Sequence, residues 1–313
     1  MSLLPALVSC SAERDPSELL APQGEPVIVV DATLLVGKQL PPVYVTRSLD
    51  PGEPFSASAA AVTDAVVTIM SASGATFEYV ASTTDPGKYT PVLAGTTVQE
   101  ETEYRLEVVV GDKTVRAVTT TPPVFVVDQW LWLDDTATTV LGQLKTFEEI
   151  GNEVYNVPEN RFTHSIGTLE AWFESLEGVP GYQVGVFSLD LDSDFAVDVS
   201  FLDEEDQQEI KEEERNGTSP PLLGEDGKLR LPWFALLFEG RYRLEIYALD
   251  NNWFDLVRSV PELGGTNDGF GGNAGDDFES PLFHVEGGIG LFGSAAVHSM
   301  GLVIDAPEDL DNE

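Results

Sequence analysis

Residues 104–120, YRLEVVVGDKTVRAVTT, decide the fold. Within 104–108 the apolar Tyr104, Leu106 and Val108 alternate with Arg105 and Glu107, the period-two pattern of a strand with one buried and one wet face. Gly111-Asp112 then supplies a two-residue turn, with glycine taking the positive φ, and 114–120 returns as the second arm of a hairpin. The same punctuation recurs upstream. VIVV at 27–30 opens the series, and VYVT at 43–46 follows Pro41-Pro42. AVVTIM at 65–70 and ATFEYV at 75–80 flank the turn signal Ser73-Gly74, with Phe77 and Tyr79 sharing one face. Asp85-Pro86-Gly87 turns the chain into Tyr89. Short strands at this spacing predict an immunoglobulin-like sandwich over 26–122, with Tyr104 a core or corner tyrosine rather than a ligand contact.

Thr121-Pro122-Pro123 is a stiff break, and a second β-rich domain is predicted over 123–305. FVVDQWLWL at 125–133 reads as a strand with Trp130 and Trp132 on one face. Residues 135–150 are ambiguous between a loop and a short helix. Strands at 168–173 and 182–191 are predicted to form a hairpin through GVPG at 178–181, and strands at 233–238 and 242–249 another through Glu239-Gly240. DEEDQQEIKEEER at 203–215 is the best helix candidate, and 252–260 suits one or two helical turns. Two last strands are predicted within 282–304, and 306–313 is an acidic tail. The fold class expected is all-β: an N-terminal immunoglobulin-like β-sandwich, then a second antiparallel β-sandwich or partly closed barrel with short helices.

The chain has 313 residues, long for a single core, which independently favours two domains. Its 16 Lys+Arg against 54 Asp+Glu give a net charge of −38. That balance excludes nucleic acid, because phosphate contacts need cations the surface lacks, and it excludes docking on anionic lipid through a basic patch. The acids are dispersed, which suits a hydrated, salt-adapted surface; a local cation site is the rival reading. One cysteine leaves no internal disulfide framework and no cysteine-built zinc site. No apolar run is long enough to cross a bilayer as a helix.

That cysteine, Cys10, ends MSLLPALVSC, and Leu7-Val8-Ser9-Cys10 reads as a bacterial lipobox: thioether formation at Cys10 and cleavage before it leave acyl chains on the new N-terminus. The alternative is an ordinary free cysteine near a frayed end. Residues 1–25 are then a lipobox remnant and a flexible tether, and the membrane is touched only through the lipid. Ser11 after the cysteine resembles lipoproteins passed on to the outer membrane.

GIGLFG at 288–293 matches G-x-G-x-x-G, but too little chain follows for a βαβ unit, so these glycines are expected to allow a bulge or a close backbone approach. Asp190, Asp192, Asp194 and Asp198 fall on alternate positions of a calcium-loop-like run; Phe195 and Phe201 stand where an EF-hand needs Gly and Glu. The EF-hand reading fails, leaving Asp190, Asp192 and Asp194 as calcium candidates of another kind, with the acidic loop 265–277 a second candidate. Calcium is the only cofactor suggested. His164, His284 and His298 lack metal-ligand spacing and no G-x-S-x-G elbow occurs, so packing or surface roles are expected and no catalytic residue is assigned. Among so many acids no catalytic pair can be selected. Trp130, Trp132 and Trp253, with Trp172 and Trp233, are candidates for a stacking platform for sugar or peptide, against the reading that they are core. Asn216-Gly217-Thr218 reads as a turn.

The runs PVIVVDATLL (26–35), DAVVTIMSASGATFEYV (64–80), DPGKYTPVLAGTTVQEETEYRLEVVVGDKTVRAVTTTPP (85–123) and EGGIGLFG (286–293) resemble the lipoproteins grouped as domain of unknown function 4249. The resemblance implies a lipobox, an immunoglobulin-like first domain and a β-rich second domain ending in a Gly-rich GGxGxFG strand pair. It implies no activity, and a setting in the envelope of bacteria rich in TonB-dependent receptors. The acid-rich stretch 203–226 is a local elaboration. The expectation is therefore a non-catalytic binding or accessory lipoprotein of the outer membrane, working with such a receptor or taking a glycan or peptide. The alternatives are a glycosidase-like surface hydrolase using second-domain carboxylates, and a structural envelope component.

Overall fold

The computed structural model describes residues 26–49, 54–134, 136–163, 167–213, 215–224, 227–232, 236–259 and 281–305. Cys10 and the tether, His164, Trp233, the loop 265–277 and the acidic tail lie outside them. The described chain is mostly β, 47% strand and 14% helix, arranged in one large mixed sheet and one smaller antiparallel sheet, with short helices and no closed barrel.

The first module holds β1 (Ile28–Leu35), β2 (Val43–Arg47), β3 (Val66–Ser71), β4 (Thr76–Ala81), β5 (Lys88–Pro91), β6 (Glu103–Val110) and β7 (Lys113–Thr120), with a single helical turn α1 (Ala57–Ala60) between β2 and β3. Its strand order is β1-β2-β5-β4-β3-β6-β7. That is the Greek-key order of an immunoglobulin constant-type sandwich, β1-β2-β5-β4 facing β3-β6-β7, with the β3–β4 hairpin joining the two layers. Alternation does the sorting. Ile28, Val30, Ala32 and Leu34 of β1 meet Tyr104, Leu106 and Val108 of β6 and Val115 and Ala117 of β7 in one buried cluster. The β6–β7 turn is the two-residue loop read from the sequence, with Gly111 at φ 60°. Tyr104 is a corner tyrosine: its hydroxyl accepts the Gln99 amide at 2.9 Å.

The second module contains β8 (Val127–Leu133), β9 (Val140–Gln143), α2 (Phe147–Ile150), β10 (Arg161–Thr163), β11 (Thr168–Phe173), β12 (Tyr182–Ser188), α3 (Glu204–Glu213), β13 (Asn216–Thr218), β14 (Lys228–Pro232), β15 (Gly240–Leu249), α4 (Asn251–Ser259), β16 (Val285–Glu286) and β17 (Ile289–Asp305). The small sheet runs β14-β11-β8-β9; the large sheet continues from the first module through β17 to β15, β12 and β13. Between them lies a second core of Trp130, Trp132, Phe173, Tyr182, Phe238, Tyr242, Met300 and their neighbours.

β17 joins the modules. Its first half pairs in parallel with β1, from Val29↔Ile289 to Leu35↔Ala295, and its second half pairs antiparallel with β15. The Gly cluster therefore serves a close backbone approach, as expected. Gly290 has φ 115°, and a Cβ there would stand 2.0 Å from the Val30 carbonyl oxygen. The strand runs on through the glycines, so the expected pair of strands is one long strand preceded by the two-residue β16 on β7.

Two predicted hairpins are corrected. β11 pairs with β8 and β14, whereas β12 pairs with β13 and β15, so 178–181 carries the chain from one sheet to the other. Phe238 makes a lone bridge to Phe195 rather than a hairpin with β15. The reason is burial: Phe173 and Tyr182, with rings 4.9 Å apart, face each other across the core, which paired neighbours in one sheet would not do.

Candidate functional site

Of the aspartates of 190–198, Asp190 and Asp194 are taken by the protein's own cations, and Asp198 accepts the Ser200 amide at 2.9 Å. Arg241 holds Asp190 in a two-pronged pair at 2.6–3.2 Å, and Lys211 of α3 meets Asp194 at 2.7 Å. The hydrogen bond from Arg241 holds the Asp190 carboxyl below its ordinary range, and Lys211 does the same for Asp194. Arg215, buried, clamps the turn by donating to the Asp190 and Ser193 carbonyls and stacking 4.2 Å from the Phe238 ring. The structure thus points Asp190 and Asp194 at different cations and leaves Asp192 exposed; it does not converge the three into a calcium site. Among the described residues no group of three His, Cys, Asp or Glu is placed to hold a metal.

The aromatic candidates also disperse. Trp130 and Trp132 are core residues, 0% and 5% exposed, so the reading of them as ligand contacts is corrected: period-two spacing turned both toward the sheet interface. Trp253 is half-buried, packed on Tyr247 with ring centroids 5.6 Å apart. Trp172 sits at the surface with the Lys228 ammonium 3.9 Å from its ring centroid, and its indole N–H donates to Glu170.

The residues that do converge lie at the junction of the modules. Asp250, at the end of β15, caps α4: its Oδ1 accepts the Trp253 amide at 2.9 Å. Its Oδ2 accepts the Thr119 hydroxyl of β7, which also bonds Ser294 of β17 at 2.7 Å. Asn252 donates to the carbonyls of Val118 and Phe292 at 2.7 and 2.8 Å. Burial raises the Asp250 pKa. Both its oxygens are engaged within the fold, which makes it a rivet between β7, β17 and α4.

Beside the rivet a groove of about 600 Å³ crosses the outer face of β3-β6-β7. Register builds its floor. Met70, Arg105 and Val118 form one cross-strand row, and Thr68, Glu107, Arg116 and Glu286 the next. Phe283 and His284 from the returning chain form the wall, with Asn252 at one end. Arg105 pairs with Glu103 at 2.7 Å, Arg116 with Glu107 at 2.9 Å and His284 with Asp255 at 2.7 Å. In a chain of 16 Lys+Arg against 54 Asp+Glu, this face sets two arginines among four carboxylates, Glu103, Glu107, Asp255 and Glu286, and it carries Met70, Val118 and Phe283 at 38%, 46% and 36% exposure. Arginine, methionine and phenylalanine are the side chains that enrich protein interfaces.

The sequence held half of this signal. The alternation of 104–108 already placed Arg105 and Glu107 outward, and the hairpin brought 114–120 beside them; what it lacked was the return of 283–286 across the same face, some 170 residues later in the chain.

The family model described as Domain of unknown function (DUF4249) matches residues 14–300. None of the curated proteins compared with the chain matches it.

Proposed function

From the premise that this chain belongs to the DUF4249 family, we propose that it is a non-catalytic binding protein of the bacterial envelope, held to the outer membrane by acyl chains on Cys10. The partner is an outer-membrane receptor of the TonB-dependent kind, and it docks on the groove of Met70, Arg105, Val118 and Phe283. The observation that carries this reading is the composition of that face: Arg105 and Arg116 gathered with exposed Met70, Val118 and Phe283 along one groove of a chain whose net charge is −38. Such a patch relieves the repulsion a −38 chain presents to other acidic surfaces and offers anchors that can be dried on contact. The immunoglobulin-like module supplies a rigid sheet for the floor, and the second module supplies the wall. Lipid attachment would keep the groove within tether length of the membrane.

The test is co-purification from membranes of the native host. Tagged wild-type protein should retain a receptor that Arg105→Glu/Val118→Asp loses by at least about tenfold, which corresponds to about 1.4 kcal/mol. Both side chains are exposed, so the variant should keep its fold. Equal recovery by the two proteins would place the partner elsewhere.

A further inference from the structure

His298 lies between Ala296 and Met300 on the core-facing side of β17, only 4% exposed, with the Phe125 ring 6.1 Å away. Its Nε2 is buried with no hydrogen-bond partner among the described residues. Its Nδ1 is 4.0 Å from Glu148 Oε1, just beyond hydrogen-bond reach. Glu148 sits on α2, a single helical turn laid against β17, and its side chain is 60% exposed.

α2 is built as a short lever. Behind it, fully buried Asn160 accepts the Lys145 amide at 2.7 Å and donates to the carbonyls of Lys145 and of Gly301 on β17 at 2.8 and 2.7 Å. The turn itself is closed by a capping box between Thr146 and Glu149. The remaining charged groups of this corner are otherwise engaged: Glu149 with Lys145 and Thr146, and Glu153 with Asn156. Ile246, the β15 neighbour of His298, is apolar. Glu148 is thus the one acid facing the imidazole from the described elements packed on it.

We propose that His298 and Glu148 form an acid-operated latch: protonation of the imidazole draws the Glu148 carboxylate in and clamps α2 onto β17. A neutral imidazole tolerates this site, whereas an imidazolium requires a counter-charge there. The nearest one needs to move about 1 Å to reach hydrogen-bond distance. Burial holds the His298 pKa below its ordinary value, and Glu148 works against that shift. Operation therefore falls on the acid side of the usual histidine range.

The test uses the full chain and its surface variant Glu148→Gln. Hydrogen exchange at the α2 amides of Glu149, Ile150 and Gly151, corrected for intrinsic rate, is followed between about pH 7.5 and about pH 5, with the His298 imidazole titrated by NMR. In the wild type, protection should rise about two- to fivefold, the scale of an ion pair half open to water, at the same midpoint as the imidazole. Glu148→Gln should lose that rise and lower the His298 midpoint. Equal His298 midpoints in the two proteins overturn the latch. So does wild-type α2 protection that stays flat or falls with acid.

Discussion

Replacing Asp250 by alanine tests whether the two modules are riveted at the junction of β7, β17 and α4. The carboxylate makes two bonds that alanine cannot: it accepts the Trp253 amide at the helix start and the Thr119 hydroxyl across the module boundary. Loss of an N-cap costs about 1 kcal/mol. Loss of a hydrogen bond to a charged group costs about 1.5–3 kcal/mol, reduced here because the burial strain on the carboxylate is relieved at the same time. The sum is a destabilisation of about 2–4 kcal/mol, or a fall in Tm of roughly 3–6 °C in a chain of this size. Asp250→Asn keeps a good cap and an amide that can bond Thr119, so it should stay within about 1 kcal/mol of wild type.

The pH dependence follows from the raised pKa of Asp250. A carboxyl whose folded pKa lies above its unfolded value contributes stability that is full below the unfolded pKa and is lost as pH rises through the folded one. Asp250→Asn should therefore gain on wild type as pH climbs out of the acid range. Differential scanning calorimetry of the three proteins at several pH values measures all of this. An alanine variant as stable as wild type, or an asparagine variant as damaged as alanine, would refute the reasoning.

Gly290→Ala should be more severe than any surface change, because its Cβ would stand 2.0 Å from the Val30 carbonyl oxygen at φ 115°; loss of soluble folded protein, or a Tm depressed by more than about 10 °C, is expected, and normal melting would contradict the parallel β1–β17 pairing. The charge of −38 predicts a Tm that rises by several degrees between about 0.1 M and about 1 M NaCl, as the screening length shrinks from about 10 to about 3 Å; a flat profile would remove self-repulsion as a factor. Mass spectrometry of the mature protein from its native host should find Cys10 acylated at the new N-terminus, and an unmodified thiol would count against anchoring.

Legibility followed locality. The β6–β7 hairpin, the corner role of Tyr104, the α3 helix and the purpose of the GIGLFG glycines were all readable, because turn chemistry and side-chain period act over a few residues. The path of 168–191 was not, since a glycine-proline turn joins strands in one sheet or in two with equal ease and only the core chooses. Trp130 and Trp132 carried no mark separating core from platform. The acidic run was readable as charge but not as ion pairs, because Arg241 and Lys211 arrive from 51 and 17 residues away. The groove was missed for the same reason: its wall and floor come from opposite ends of the chain.

The binding reading is most directly tested by a photo-crosslinking residue placed at Val118, on the groove floor, in living cells of the native host, with the same residue at Val140 as control. Both positions are exposed, at 46% and 56%, and Val140 lies on the edge of the other sheet. A single discrete adduct with an outer-membrane receptor at Val118, absent at Val140, is the predicted result. Identical adducts at both positions, or none at either, would contradict it.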